Sequence, residues 1–286
     1  MLYLLYKAGI FLALTLPIKA SYKLADFIAS MYYLLCHRDR EVVKNNLKVV
    51  LNHDQGRVKT YHTSRMVFVN FARYLVEFFR ASKIDTQFIH DNVEIEGREN
   101  LDRALKQGKG VILVSAHLGN WELGGMVLSM LGYKINGVAW THKNKKINDF
   151  FLNQRRSKGL KIIPLGKTPR KVLTALRNNE IVGFIGDIDF LNPQKGITVK
   201  LFGRDTIMPK GPAIFSQKTG APIVTVFLVR TGLNRFKLSL EPIAHRVSGN
   251  QKADLQNLTA KVSKRIESCI LHYPEQWFML TPRWQN

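Results

Sequence analysis

Cysteine is scarce. The chain has two, Cys36 and Cys269, far apart in 286 residues. That excludes a disulfide framework and a cysteine-rich metal centre, and it fits a reducing compartment. Acidic residues are also few: 21 Asp and Glu stand against 43 Lys and Arg, a net charge of +22. So large an excess points to an anionic partner: nucleic acid, anionic lipid or a phosphorylated substrate. No helix-turn-helix, zinc or aromatic RNA-binding motif accompanies the charge, so nucleic acid is not expected as a partner. There is no HExxH and no G-x-S-x-G, which removes the common zinc-protease and serine-hydrolase signatures. Internal repeats and low-complexity tracts are absent.

Apolar residues make up 45% of the chain, enough for a sizeable core. Residues 2–18, LYLLYKAGIFLALTLPI, are apolar apart from Lys7. As one helix they reach about 26 Å, against a hydrocarbon core of ~30 Å. No basic segment precedes them, and IKAS offers no small-x-small cleavage site, which argues against a secretory signal. After Lys19 and Lys23 a second apolar stretch runs from Phe27 to Cys36. Residues 2–35 therefore read as a marginal span or an interfacial anchor, with lysines at headgroup level. A core helix is the alternative. Residues 57–83 form a basic amphipathic pattern, with Met66, Phe68, Val69, Tyr74, Leu75, Phe78 and Phe79 near helical spacing.

From about residue 92 strands alternate with helices. VILVSA (111–116), INGVA (135–139), KIIP (161–164), IVGFIGD (181–187), PIVTVFLVR (222–230) and FKLSLEPI (236–243) read as strands. Helices are expected over 122–132, 147–159, 168–179 and 251–272, the third opening on a Thr cap followed by Pro. The prediction is an α/β fold: a mixed, mostly parallel central sheet flanked by helices, with N-terminal membrane-associated helices. Residues 1–90 would be a helical anchoring region and 91–286 a catalytic domain. TGLNR, joining the last two strands, suggests that they pair antiparallel.

Residues 111–125 read VILVSAHLGNWELGG. A buried strand stops, and a histidine and a carboxylate follow. On one helix His117 and Glu122 would be ~140° apart. His117 is therefore placed in the strand–helix turn and Glu122 in the first helical turn, with Gly119 and Asn120 permitting the tight backbone between. There the carboxylate can accept from one imidazole nitrogen while the other acts as a base. Asp187 and Asp189 lie at the end of another strand, and a period of two puts both on one face. As oxygen ligands they suit a divalent metal, the basis of an alternative reading as a membrane-associated glycosyltransferase.

HLGNWE (117–122) resembles the His-x4-Asp/Glu block of the glycerolipid acyltransferase superfamily, in the version of the bacterial lipid A late acyltransferases. NQRRSKGLKIIP (153–164), GFIGDIDF (183–190), KLFGRDTIMPKGPAIFSQKTGAPIVTVFLVR (200–230) and YPEQWFMLTPRW (273–284) are similar to further blocks in the same order. Ile188 and Thr281-Pro282-Arg283 stand where the family often has Gln or His and His-Arg-Arg. The resemblance implies acyl transfer from a thioester, on acyl-carrier protein or coenzyme A, to a hydroxyl of a glycolipid such as a lipid A precursor. His117 would be the general base and Glu122 its support. Arg155, or its neighbour Arg156 ~100° round the helix, would bind phosphate. Asn120, Asp187 and Asp189 would belong to the substrate cleft, the aspartates orienting arginines rather than holding metal. The resemblance implies no metal or cofactor. It implies an anionic phospholipid surface as partner, the bacterial inner membrane as location and the cytoplasmic face as working side.

Overall fold

The apolar N-terminus breaks at Pro17, which has no N–H to continue a helix. In the computed structural model, which describes residues 2–51, 56–165, 168–188, 195–245 and 248–284, two helices result: α1 (Leu2–Thr15) and α2 (Ile18–Leu35). No helix among the described residues is long and apolar enough to cross a membrane. With α3 (His37–Val50), α4 (Gly56–Phe79) and α5 (Thr86–Asn92) they form the helical N-terminal part. These helices share a core with the sheet. Ala13, Tyr22, Ala25, Phe78 and Phe79 pack in the same cluster as Val111, Leu113 and Leu228. Their other side is exposed and apolar: Leu4, Leu5, Phe11, Phe27, Ile28, Leu34 and Leu35 face outward.

The remainder runs β1 (Val93–Glu96), α6 (Arg98–Leu105), β2 (Val111–Ser115), α7 (Trp121–Met130), β3 (Ile135–Ala139), α8 (Lys145–Arg156), β4 (Lys161–Pro164), α9 (Thr168–Arg177) and β5 (Ile181–Ile185). A hairpin follows, β6 (Ile197–Leu201) and β7 (Arg204–Met208). Then come α10 (Gly211–Thr219), β8 (Ile223–Gly232), β9 (Arg235–Pro242) and α11 (Gln251–His272). Seven strands make one sheet in the order β1-β9-β8-β2-β5-β3-β4. Only β8 and β9 pair antiparallel, as the short TGLNR link required; every other pair in this sheet is parallel. All five residues of β2 are buried, as expected of a strand covered on both faces. In such sheets ligands gather outside the carboxyl ends of the strands.

Candidate active site

The register of β2 against β5 builds the centre of the site. Ser115 pairs with Ile185, so the residues two beyond each strand end, His117 and Asp187, come opposite one another. Asp187 Oδ1 lies 2.8 Å from His117 Nδ1, and Oδ2 accepts from the backbone N–H of His117 at 3.0 Å. Asp187 is fully buried. Burial alone pushes its carboxyl up. The His117 charge, hydrogen bonds from the imidazole and backbone N–H of His117, and one from the Trp277 indole outweigh that and hold it below the usual carboxylate range. An ionised carboxylate can only accept, so Nδ1 donates, and in the neutral ring the lone pair resides on Nε2.

The turn carrying His117 is fixed from two further sides. Gly119 has φ +62°, and a Cβ there would come 2.1 Å from the Leu228 carbonyl oxygen, so only glycine fits. The N–H of Asn120 donates to that same carbonyl at 2.8 Å. From the C-terminal segment, Phe278 N–H donates to the His117 carbonyl at 2.7 Å, and Gly119 N–H donates to the Gln276 carbonyl at 2.9 Å.

Four expectations are corrected. The carboxylate that orients His117 through Nδ1 is Asp187, whereas Glu122 is committed to Arg155. Arg155 Nε donates to Glu122 Oε2 at 2.9 Å and Nη2 to Oε1 at 2.6 Å, both side chains buried. Burial by itself would lower the Arg155 pKa, but the Glu122 carboxylate holds it above its ordinary value. The guanidinium fork expected to grip a phosphate is thus already filled by a carboxylate. Asn120 is no cleft residue either. It is buried as the cap of α7, accepting from Leu123 N–H at 2.9 Å and donating to Glu77 Oε2 at 2.6 Å. Asp187 orients a histidine rather than an arginine, and both its oxygens already accept hydrogen bonds. Arg155 and Arg156 do diverge as their spacing required, the first buried and the second exposed. Asp189 lies outside the described residues.

His117, Glu122 and Arg155 all line one cavity of about 560 Å³, within the ~300–1,000 Å³ typical of ligand sites. Its walls are otherwise mainly apolar, with Leu113, Leu128, Ile162, Phe184 and Val226 among them. It opens where side chains are missing from the sheet: Gly137 on β3 pairs with Gly183 on β5, and a Cβ at Gly183 would meet nothing within 4 Å. His142 lines the same cavity although distant in sequence. Burial, helped by the charge of Arg155, lowers its pKa, which favours the neutral ring.

A profile of the bacterial lipid A biosynthesis acyltransferases matches residues 1–286. The chain belongs to that family. It is 30% identical over 221 residues to the phosphatidylinositol mannoside acyltransferase of Mycobacterium tuberculosis, covering 75% of this chain and 68% of that protein. It is 25% identical over 194 residues to the lipid A biosynthesis palmitoleoyltransferase of Escherichia coli, covering 68% and 61%. To the lauroyltransferase of the same organism it is 24% identical over 281 residues, covering 97% and 89%. The chain is therefore an acyltransferase, and the glycosyltransferase alternative finds no support.

In this acyltransferase His142 and two further residues of the site region escaped the sequence reading. Glu77 on α4 sits buried behind the turn, bonded to Asn120, to the Tyr22 hydroxyl at 3.0 Å and to Arg230. Nothing in its local sequence distinguishes it from a solvated helix face. Trp277 is buried and also donates from Nε1 to Asp187 Oδ2 at 3.2 Å. Its Pro-Glu-Gln-Trp setting was visible, but not the bond.

Proposed function

We propose that the enzyme moves a fatty acyl chain from a thioester, carried by acyl-carrier protein or coenzyme A, to a hydroxyl of a membrane glycolipid. The observation that carries this reading is an imidazole, oriented by a buried carboxylate, on the wall of a large apolar cavity. The acceptor hydroxyl gives its proton to His117 Nε2 as its oxygen attacks the thioester carbonyl. The tetrahedral intermediate collapses, the C–S bond breaks, and the imidazolium returns the proton to the departing thiolate. Asp187 holds the tautomer and stabilises the imidazolium. The cavity left open by Gly137 and Gly183 takes the alkyl chain, each methylene contributing ~0.8 kcal/mol on leaving water.

The relatives act, by their names, on phosphatidylinositol mannosides and on lipid A, which supports a glycolipid acceptor. Such acceptors stay in the bilayer, so the enzyme meets them at its surface. The outward apolar side chains of α1 and α2 and the net charge of +22 suit an anionic membrane face. In this reading that face is the cytoplasmic side of the bacterial inner membrane.

The test incubates the full chain with palmitoyl-coenzyme A or palmitoyl-acyl-carrier protein, against a phosphatidylinositol mannoside and a lipid A precursor. Mass spectrometry reads the lipid products. One acceptor should gain an acyl chain, and His117→Ala should slow this by ~10²–10⁴-fold. Transfer at the wild-type rate by that variant would overturn the mechanism.

A further inference from the structure

The C-terminal segment does more than close the core. Asp187 Oδ2 receives two donors from different parts of the chain, the His117 backbone N–H at 3.0 Å and the Trp277 indole N–H at 3.2 Å. With Oδ2 held at two points, Oδ1 is left facing His117 Nδ1 at 2.8 Å. The backbone of the same segment grips the turn directly, through Leu118 opposite Trp277 and through Phe278 N–H on the His117 carbonyl. Indole and backbone therefore fix the carboxylate and the imidazole relative to each other. Trp277 itself is wedged against Phe202 and Trp284, with ring centroids 6.2 Å from each, which leaves the indole little freedom to turn.

We infer that Trp277 is a positioning residue of the catalytic pair: its indole N–H locks the rotation of the Asp187 carboxylate so that Oδ1 meets His117 Nδ1. This rests on the reading of His117 as the base. Trp277 touches no substrate. Its effect passes through Asp187, whose charged neighbours are His117 and, more distantly, the buried guanidinium of Arg283.

A matched control is built into the fold. Trp284 packs on the same Phe202 ring, 6.0 Å away, and also uses its indole N–H, but donates to Thr206 Oγ1 at 2.8 Å. Trp277→Phe and Trp284→Phe therefore remove the same group from the same aromatic cluster, and only the first removes it from Asp187. The test compares both in acyl transfer from palmitoyl-coenzyme A to whichever acceptor the wild type uses, beside His117→Ala. Losing a hydrogen bond to a buried charged group corresponds to about ten- to a hundredfold. Trp277→Phe should lower kcat by that factor and leave KM for donor and acceptor within about threefold. It should also move the acidic limb of the kcat/KM profile to higher pH, because Asp187 loses a donor that favours its ionised form. Trp284→Phe should keep kcat within about twofold and leave the limb in place.

If Trp277→Phe does not fold, replacing Trp277 by benzothienylalanine keeps the bicyclic shape and exchanges only N–H for sulfur, with the same expected result. Equal losses in the two tryptophan variants, or a Trp277 variant with wild-type kcat and pH profile, would overturn the inference. An active His117→Ala would instead remove the reading beneath it. An inactive His117→Ala beside an unchanged Trp277 variant would remove the role of Trp277 alone.

Discussion

Amidating each buried carboxylate in turn separates the roles the structure gives to Asp187 and Glu122. In Asp187→Asn the amide has one oxygen and one NH₂ to place. Two N–H donors converge on the Oδ2 position, from His117 at 3.0 Å and Trp277 at 3.2 Å. The amide oxygen must stay there, since an NH₂ would face two donors. The NH₂ then takes the Oδ1 position, 2.8 Å from His117 Nδ1. Nδ1 must accept, so the ring proton moves to Nε2, and the nitrogen that should act as base carries the proton instead. In a serine-protease triad the same change of tautomer costs about 10⁴-fold in kcat, and a loss of that order is expected here. The shape of the side chain is kept, so the fold should persist.

In Glu122→Gln the outcome differs. Both carboxylate oxygens accept from Arg155, at 2.9 Å and 2.6 Å, with both side chains less than a tenth exposed. A glutamine leaves the guanidinium without its counter-charge and turns an NH₂ toward one of its donors. Breaking a buried ion pair on one side costs ~3–5 kcal/mol. At about 2 °C per kcal/mol for a chain of this size, Tm falls by roughly 6–10 °C. Thermal melts and single-turnover acyl transfer at a temperature where both variants are folded make the comparison. A kcat within tenfold of wild type for Asp187→Asn would refute the tautomer reasoning. A native Tm and a 10⁴-fold slower Glu122→Gln would return to Glu122 the role that its spacing from His117 first suggested.

Three further outcomes are expected. Arg155→Lys cannot reproduce the two-pronged contact with Glu122 and should lower Tm, whereas Arg156→Lys, on the exposed side of α8, should stay within ~0.5 kcal/mol; the opposite ranking in thermal melts would mean that the wrong arginine has been placed inside. Asp187 has a folded-state pKa below its unfolded value, near 3.9, so its contribution to stability is full above that value and is lost as pH falls through the lower, folded one. Urea midpoints of wild type and Asp187→Asn between pH 3 and 7 should therefore converge on the acid side, and a gap that widens there would contradict the shift. With phosphatidylglycerol vesicles, the wild-type chain should co-sediment even at high salt, because the apolar contact is not screened. Serine at Leu4, Leu5, Phe11 and Phe27 should leave a purely electrostatic attachment that salt releases. Substitution is the sound route, since deleting α1 and α2 would also remove Tyr22 and Tyr33 from the core.

What could be read from the sequence follows from where the information lies. VILVS, an uninterrupted β-branched and apolar run, can only be a strand covered on both sides, and β2 is that strand. The Gly119–Asn120 turn placed the start of α7 within a residue, while its end falls two residues earlier than expected. By contrast, β1 alternates apolar and polar as Val-Glu-Ile-Glu but over only four residues, too short a run to stand out. Its place at the sheet edge is set by pairing with β9, more than a hundred residues later. The carboxylate partner of His117 was missed for the same reason. Glu122 was five residues from His117 and Asp187 was 70. Local spacing therefore pointed to Glu122 rather than to the carboxylate that bonds the ring. Once β2 and β5 are known to be parallel neighbours in the Ser115–Ile185 register, residue 187 is the one that must face residue 117. The choice between the two acids depended on strand order, which no local pattern encodes.

Under the proposed mechanism, the rigidity of the turn that carries His117 has a consequence for how an acyl donor would be used. His117 is held by Asp187 on one side, its turn by the Leu228 carbonyl on another and by the 276–278 backbone on a third, while Asn120 is tied to buried Glu77. Nothing in that constellation would need to move for the proposed proton transfer. In that mechanism the thioester would instead be brought to a base that is already placed, and the force available would be burial of its own alkyl chain along the apolar wall. At ~0.8 kcal/mol per methylene, six methylenes contribute about 5 kcal/mol. That is comparable with the cost of fixing a flexible substrate in a reactive pose. Binding energy gathered far from the carbonyl would thereby be spent on orienting it. In the proposed mechanism the missing side chains at Gly137 and Gly183 would thus matter as much as His117, because they would make the room in which that energy is collected.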